Sequence, residues 1–255
     1  MKTFQYYIIA CWIGISILCL SACNKEGSVE MTTGKGGSFA RFAIVGDYLY
    51  AVNYSDLNIY NISNAAAPIF EHKVTVAQAG ETIETIFGYK QHLFIGSTQG
   101  MHIFDINNPT QPQNSSTFEH AQSCDPVVVN DTLAFITLRG GNECTSVYVE
   151  SGLYVVDIRN LQETKLISHL ALSSPYGLGY DEEVLFVCGG DNGLYVFDYT
   201  NPKELQQIAH LEGFNAYDVI PDNGILLVVG SDEFRQYDYT DLSNIRLLSV
   251  LKYEK

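Results

Sequence analysis

Short runs of apolar residues recur along this chain, separated by polar turns rich in Asn, Asp, Gly and Pro. Runs of this length with such boundaries predict β-strands. No segment after residue 23 keeps the 3.6-residue hydrophobic period of an amphipathic helix. Beyond its N-terminal segment the chain is therefore predicted to be all-β.

One strand-like phrase returns five times and indicates the architecture. Each copy is an apolar run that ends in Asp or Asn followed by Ile or Tyr: Leu57–Ile62, Met101–Ile106, Leu153–Ile158, Leu194–Tyr199 and Phe234–Tyr239. Successive copies are 44, 52, 41 and 40 residues apart, measured between the marker residues Asn61, Asp105, Asp157, Asp198 and Asp238. A strand-rich period of about forty residues is typical of propeller blades.

Each copy contains four strand-like runs, named A to D in chain order. They cover 84–88, 92–96, 101–106 and 114–120 in the second copy, and 176–180, 184–188, 193–199 and 206–211 in the fourth. Runs B and C are apolar on both faces, as expected where a small sheet is wedged between two neighbours. Residues 39–255 therefore predict one five-bladed β-propeller of four-stranded antiparallel blades, in which ring closure removes open edges.

The marker residues have a structural explanation. A side-chain oxygen at the end of strand C can accept hydrogen bonds from backbone N–H groups of the following turn. Asp or Asn is then expected at this position without any catalytic role.

The phrase Leu153-Tyr-Val-Val-Asp-Ile158, together with the turns at Asp105–Pro109 and Asp198–Pro202, resembles the LVIVD repeat. The resemblance covers residues 39–253. It is weaker at both ends, where Asn61 replaces Asp and Phe234-Arg-Gln-Tyr237 brings polar residues into the strand. It implies a propeller in a bacterial secreted or surface protein. It implies no catalytic residues, because the family has no settled activity.

The N-terminal segment predicts export. Lys2 precedes the mostly apolar stretch Tyr6–Leu20, and Leu20-Ser-Ala-Cys23 resembles a bacterial lipobox. Residues 1–22 are then a lipoprotein signal peptide, Cys23 carries the lipid (palmitate among its acyl chains), and residues 23–38 form a flexible tether. The chain would be anchored in the bacterial cell envelope, at the outer membrane. An ordinary signal peptide or an uncleaved anchor remain the alternatives.

The formal net charge of −15 disfavours nucleic acid and anionic lipid surfaces as partners, because both recruit basic patches. Attachment to the membrane would depend on the lipid at Cys23. The acidic surface mainly favours solubility, and we expect a monomer.

Candidate ligand-binding residues come from the starts of the A strands, which meet at one end of a propeller channel. The predicted ring comprises Arg41, Glu84, Asp125, Tyr176 and Tyr217, with Asp218 adjacent. Arg41 could orient a carboxylate or hydroxyl while the tyrosines stack on a sugar or peptide ligand. The alternative is a network of ion pairs and water that merely fills the channel. Arg41 also disfavours a calcium site, so the sequence predicts neither metal nor cofactor.

Four cysteines remain after processing, and the topology suggests one disulfide. Cys124 precedes strand A of the third blade, and Cys144 lies in the long B–C connection of the same blade. Both should reach the channel mouth in an oxidising compartment, which predicts a Cys124–Cys144 bridge. Cys188, inside strand B of the fourth blade, is predicted to be a buried free thiol. Two unpaired loop cysteines are the alternative.

The catalytic signatures G-x-S-x-G and H-E-x-x-H are missing from the sequence. We therefore expect a non-enzymatic binding or scaffold propeller whose ligand is a glycan, peptide or protein. The alternative is a hydrolase or lyase acting on a carbohydrate or lactone. It would use Asp125, Glu84 or Asp218 as acid or base and Arg41 as electrophile.

Overall fold

The structure is a computed structural model that describes residues 37–119, 126–140 and 150–254. The predicted signal peptide, Cys23, Cys124, Asp125 and Cys144 lie outside the described residues. The described ranges contain 20 β-strands. Within them no helix is long and apolar enough to cross a membrane.

The strands form five four-stranded antiparallel sheets, each with its strands in chain order. Blade 1 consists of β1 (Phe42–Val45), β2 (Tyr48–Val52), β3 (Asp56–Asn61) and β4 (Ile69–Thr75). Blade 2 consists of β5 (Ile83–Tyr89), β6 (His92–Ser97), β7 (Gly100–Asp105) and β8 (Gln113–Glu119). Blade 3 consists of β9 (Val127–Val129), β10 (Leu133–Leu138), β11 (Gly152–Asp157) and β12 (Lys165–Ala171). Blade 4 consists of β13 (Leu178–Asp181), β14 (Val184–Cys188), β15 (Leu194–Asp198) and β16 (Gln206–Leu211). Blade 5 consists of β17 (Asp218–Asp222), β18 (Ile225–Val229), β19 (Glu233–Asp238) and β20 (Arg246–Lys252). The prediction of an all-β, five-bladed propeller is confirmed.

The marker residues close the same turn in all five blades. Each accepts a hydrogen bond over 2.6 to 3.0 Å from the backbone N–H two positions ahead: Asn61, Asp105, Asp157, Asp198 and Asp238. These are Asx turns, in which a side-chain oxygen replaces a backbone carbonyl. The structure thus supports the structural interpretation of the repeated Asp.

A β-bulge in the outermost strand also recurs in every blade. The register between strands C and D shifts once, which leaves one extra residue in strand D: Glu71, Ser115, Ile167, Ile208 and Leu248. A bulge bends the strand and increases its twist. Its recurrence shows that the blades are equivalent in three dimensions even where their sequences diverge.

Apolar clusters fill the four interfaces between successive blades. Tyr50 and Ile86 meet between blades 1 and 2, and similar clusters join blade 2 to 3 and blade 3 to 4. Phe186 and Leu226 belong to the cluster between blades 4 and 5. The buried Cys188 lies in this last cluster as a free thiol, as predicted.

The two end blades differ from the three between them. Every residue of β10 in blade 3 is buried, as expected for a strand covered on both faces. In β18 of blade 5, Leu226 and Val228 are buried but Leu227 and Val229 are only half-buried. Blade 1 shows the same alternation in β2. The described residues form no apolar cluster between blades 5 and 1, so the predicted burial of all blades on both faces fails there. We call this junction the seam.

Candidate ligand-binding site

Hydrogen bonds between neighbouring blades position the starts of the innermost strands at one end of the channel. The buried Thr137 hydroxyl of blade 3 donates to the Tyr176 carbonyl over 2.6 Å. The Gly177 N–H of blade 4 donates to the Tyr217 carbonyl over 2.8 Å. These bonds hold Tyr176 and Tyr217 at adjacent positions around this channel mouth.

The two predicted tyrosines meet there, together with an arginine that the sequence analysis did not select. The ring centroids of Tyr176 and Tyr217 are 4.8 Å apart, with 44° between their planes. The guanidinium carbon of Arg139 lies 4.0 Å from the Tyr176 centroid. Stacking of this kind is an attractive cation–π interaction. We call Arg139, Tyr176 and Tyr217 the mouth cluster.

Glycine at position 190 allows the mouth cluster to form. Gly190 has a φ of 58°, and a Cβ there would lie 2.7 Å from the Cε2 atom of Tyr176. Any larger residue would push the ring away or strain the backbone. Gly190 belongs to the Gly190–Gly193 turn, whose glycines both have positive φ.

Arg41 and Glu84 lie toward blades 1 and 2 of the channel mouth. A terminal nitrogen of Arg41 donates to the Ile83 carbonyl over 2.8 Å, and the guanidinium carbon lies 4.9 Å from the Tyr54 ring centroid. Glu84 follows Ile83 in β5 and is partly buried. Asp125, the remaining predicted member of the ring, lies outside the described residues. The contacts of Arg41 thus do not place it among the tyrosines of the predicted ring.

Asp218 is a half-buried carboxylate that is bonded to the entrance of blade 1. Its Oδ1 atom accepts hydrogen bonds from the Ser38 hydroxyl over 3.1 Å and from the Val219 N–H over 3.0 Å. Burial raises the pKa of the Asp218 carboxyl, although hydrogen bonds from Val219, Ser38 and Phe39 act in the opposite direction. Ser38, assigned to the tether from sequence, is itself only 1% exposed. These contacts favour a role in joining chain segments.

A second polar network, which the sequence analysis missed, lies buried in blade 2. Glu81 and His102 are 2.6 Å apart, and their side chains are only 2% and 3% exposed. Glu81 also accepts hydrogen bonds from the Ser97 hydroxyl and the Gln78 N–H. Burial acts to raise the Glu81 pKa, but the hydrogen bonds from Gln78, Ser97 and His102 outweigh it, so the pKa is lowered.

This network is structural. The second ring nitrogen of His102 lies 3.0 Å from the Thr117 hydroxyl, which gives the carboxylate–imidazole–hydroxyl order of a nucleophilic triad. His102 and Thr117 are, however, direct partners in the register of β7 and β8, so the sheet alone explains their contact. Equivalent links join the entering segment to the B–C turn in other blades, namely Ser173–Asn192 and Asn215–Ser231.

Comparison with known families identifies the repeat. Residues 36–76, which include all of blade 1, match the family model of the LVIVD repeat. The first blade is therefore similar to the LVIVD repeat. It matches although its marker is Asn61 rather than Asp, which agrees with the Asx turn that Asn61 forms. No curated protein matches the chain in sequence.

Solved structures share the propeller fold at low sequence identity. A functionally unknown protein from Desulfotomaculum acetoxidans superposes with a TM-score of 0.64 at 9% identity, over 88% of this chain and 70% of the other. The periplasmic gluconolactonase PpgL of Pseudomonas aeruginosa gives 0.64 at 12% identity, over 81% and 68%. Apo AztD from Citrobacter koseri gives 0.57 at 14% identity, over 85% and 60%. This chain thus spans less than two thirds of the length of AztD, and these likenesses show the fold alone.

Proposed function

We propose that this chain is a lipid-anchored, extracytoplasmic propeller that binds a polar ligand at the mouth cluster without transforming it. The observation that carries the proposal is the convergence of Tyr176 and Tyr217 from two blades, with Arg139 from a third stacked 4.0 Å from the Tyr176 centroid. Sites for small ligands typically combine aromatic walls with a small number of polar groups that fix the orientation of the ligand.

The chemistry of the mouth cluster favours a ligand with a ring and an acidic or hydroxyl group. The aromatic rings offer apolar faces to a sugar or a side chain, and a guanidinium binds carboxylates through paired N–H donors. Arg41 supplies a second guanidinium on the side of blades 1 and 2. Because the chain carries only 14 basic residues against 29 acidic ones, arginines at the channel mouth are a distinctive local feature. An acidic glycan or a peptide fits these groups.

The alternative function, a hydrolase or lyase of a carbohydrate or lactone, is less well supported. It needs a carboxylate that can exchange protons with a substrate. Asp218 is instead half-buried and bonded to Ser38 and Val219. PpgL is a gluconolactonase, but at 12% identity its likeness extends to the fold and not to a substrate.

A binding screen with matched variants tests the proposal. An array of neutral and acidic glycans and peptides is probed with the wild type, Tyr217→Ala and Arg139→Ala, with Tyr253→Ala as control. Tyr253 follows β20, the outermost strand of blade 5, and is 44% exposed. We expect a hit that both mouth variants weaken roughly tenfold and the control does not, with the ligand recovered intact. Loss of binding in all three variants, or chemical turnover of the ligand, would contradict the proposal.

The lipid anchor is tested separately. We propose that Cys23 is the lipidated N-terminus and that the envelope is the site of action, because Leu20-Ser-Ala-Cys23 resembles a lipobox. The mature chain should begin at Cys23 and partition into detergent, and Cys23→Ala should abolish processing or membrane retention. Normal processing and retention of the variant would rule the anchor out.

A further inference from the structure

A chain of three polar side chains borders the mouth cluster on the side of blades 4 and 5. The Ser231 hydroxyl donates to Oδ1 of Asn215 over 2.8 Å, and the Asn215 amide donates to the Asp191 carboxylate. The link between Asn215 and Ser231 has a counterpart in blade 4, but the contact with Asp191 joins the segment that enters blade 5 to the B–C turn of blade 4. We call Asp191, Asn215 and Ser231 the rim chain.

A backbone bridge fixes the rim chain beside the mouth cluster. Gly190 and Ala216 form an isolated antiparallel bridge, in which each residue donates its N–H to the carbonyl of the other over 3.0 and 2.9 Å. Asp191 directly follows Gly190, and Asn215 and Tyr217 flank Ala216. The bridge between two blades therefore positions a carboxylate and an amide next to one aromatic residue of the mouth cluster.

The other tyrosine of the mouth cluster contacts the same bridge, and all of these groups can be reached from solvent. The Tyr176 ring packs against Gly190. Both tyrosines are half-buried, as is the middle member of the rim chain, whereas its ends, Asp191 and Ser231, are exposed. Each polar group is thus held by its neighbour and is still accessible. Such preorganisation lowers the entropic cost of binding a ligand.

The hydrogen-bonding groups of the rim chain match the hydroxyls of a sugar. A carboxylate offers about four acceptor positions, so Asp191 can accept from two hydroxyl groups as well as from the Asn215 amide. Hydrogen bonds to an ionised acceptor are roughly twice as strong as those between neutral groups. Two hydroxyls on adjacent carbons, a vicinal diol, are common on sugar rings and do not occur in a peptide backbone. The rim chain can therefore distinguish a glycan from a peptide, which the mouth cluster alone does not.

The charges on this side of the mouth also favour a ligand that is rich in hydroxyls. Asp191 is accompanied by Asp232, whose Oδ1 atom lies 3.3 Å from the Ser231 hydroxyl. The guanidinium of Arg139 approaches the Tyr176 ring from blade 3. Two carboxylates repel an acidic group of a ligand, whereas uncharged hydroxyls donate to them without repulsion. A lysine side chain would also be attracted here, so peptides that contain lysine belong in the test.

We propose that the ligand of the mouth cluster is a glycan and that the rim chain recognises a vicinal diol on it. One sugar ring lies on Tyr176 and Tyr217, and its two adjacent hydroxyls donate to Asp191. The Asn215 amide donates its second N–H to a sugar oxygen. This inference rests on the proposed function, because the rim chain borders the same mouth cluster. It adds the class of ligand and the residues that determine specificity.

The probe is the array of the binding screen, extended by lysine-containing peptides and by monodeoxy analogues of each glycan. These analogues keep the sugar ring and lack one hydroxyl. The wild type is compared with Asp191→Ala and Asn215→Ala. Asp47→Ala is the control, since Asp47 is an exposed carboxylate in the turn between β1 and β2, at the opposite end of the blades from the B–C turns.

We expect a glycan to bind the wild type and its analogues at two adjacent carbons to bind roughly tenfold more weakly, the effect of one charge-assisted hydrogen bond. Each rim variant should weaken the parent glycan by a similar factor, and Asp47→Ala should stay within about twofold. With Asp191→Ala, the parent glycan and these analogues should bind within about twofold of each other, because the group that distinguishes them is gone. A merely structural role of Asp191 would leave their ratio unchanged.

The proposal fails if the monodeoxy analogues bind as well as the parent glycan, or if Asp191→Ala weakens both equally. Circular dichroism confirms that each variant is folded, and Asn215→Ala provides a second test should Asp191→Ala not fold. A peptide hit that needs Tyr217 and Arg139 but not Asp191 would leave the proposed function intact and refute only this inference. The absence of any hit on the array would refute both.

Discussion

The Ser38 hydroxyl donates a hydrogen bond to Oδ1 of Asp218 over 3.1 Å, although 180 residues separate the two in the chain. The same hydroxyl accepts a hydrogen bond from the Leu178 N–H over 2.8 Å. One side chain at the entrance of blade 1 therefore joins the inner strands of blades 4 and 5. This link lies where the seam has no apolar cluster in the described part of the chain, so we expect it to matter for the stability of the ring.

Gly37→Ala should destabilise the protein through Asp218. The atoms that a Cβ at Gly37 would overlap all belong to the Asp218 carboxylate. Strain of this kind costs about 1–3 kcal/mol, which lowers the Tm by roughly 2–4 °C per kcal/mol in a chain of this size. Calorimetry of Gly37→Ala, Asp218→Ala and the double variant measures the coupling. If the strain lies at this contact, Gly37→Ala should change the free energy of unfolding little in the Asp218→Ala background. Additive effects of the two substitutions would show that the strain lies elsewhere.

Asp218 should make folding less favourable as pH rises. Burial raises its pKa in the folded state above the ordinary value of 3.8, so the folded chain binds more protons than the unfolded chain above that pH. The stability that the Asp218 carboxyl contributes is therefore fully present below pH 3.8 and decreases as the pH rises above that value. Chemical unfolding of wild type and Asp218→Asn between pH 3 and 8 checks the sign, because the stability difference should shift in favour of the variant as pH rises. A difference that is constant with pH would refute the assignment.

Glu81 should show the opposite dependence. Its hydrogen bonds lower the folded-state pKa below the ordinary value of 4.5, so its contribution is present above that pH and is lost in acid as pH falls through the folded pKa. Glu81→Gln replaces the buried carboxylate that accepts these hydrogen bonds and should cost about 1–3 kcal/mol near neutral pH. Glu163→Gln, at an exposed pair with Lys165, should change stability by less than about 0.5 kcal/mol. Equal effects of the two substitutions would show that the Glu81–His102 pair contributes nothing to the stability of the fold.

The repeat made most of the fold predictable. A marker residue every forty or so residues indicated the blades, and the doubly apolar Leu185–Cys188 indicated a strand buried on both faces. The departures from the repeat also indicated the seam. Polar Gln236 interrupts the last repeat and polar Asn58 the first, which is the pattern of strands with only one buried face.

The candidate site was less predictable because it depends on side-chain directions at loop ends. Aligning strand starts brought Tyr176 and Tyr217 together correctly but gave no means of telling where Arg41 would point. Arg139 follows the end of β10 rather than the start of an inner strand, so that alignment could not select it. The partial burial of Asp218 depends on Gly37 and Ser38. The sequence analysis assigned both residues to the tether because this segment is polar and rich in glycine.

Removal of blade 5 should prevent folding of the rest. Phe186 and Val196 of blade 4 are fully buried against Val219 and Leu226 of blade 5. A chain that ends after Leu211 exposes this cluster and loses the Asp218 link, so it should be insoluble or rapidly proteolysed. Expression and limited proteolysis of the truncated chain provide the measurement. A soluble product with a cooperative unfolding transition would show that four blades suffice.

A disulfide between Cys124 and Cys144 stays a prediction, since both residues lie outside the described ranges, but their flanks support it. The Thr137 N–H donates to the Pro126 carbonyl over 3.2 Å, so the segment that follows Cys124 is bonded to the end of strand B. The Gly140 N–H donates to the Ser151 hydroxyl over 2.9 Å, which brings together the two ends of the connection that carries Cys144. Closing a loop of about 20 residues adds roughly 3 kcal/mol in the chain-entropy model.

A non-reduced tryptic digest should contain one peptide pair linked through Cys124 and Cys144, with Cys188 alkylated only after denaturation because its thiol is buried. Free Cys124 and Cys144, or a linked peptide that contains Cys188, would refute the pairing.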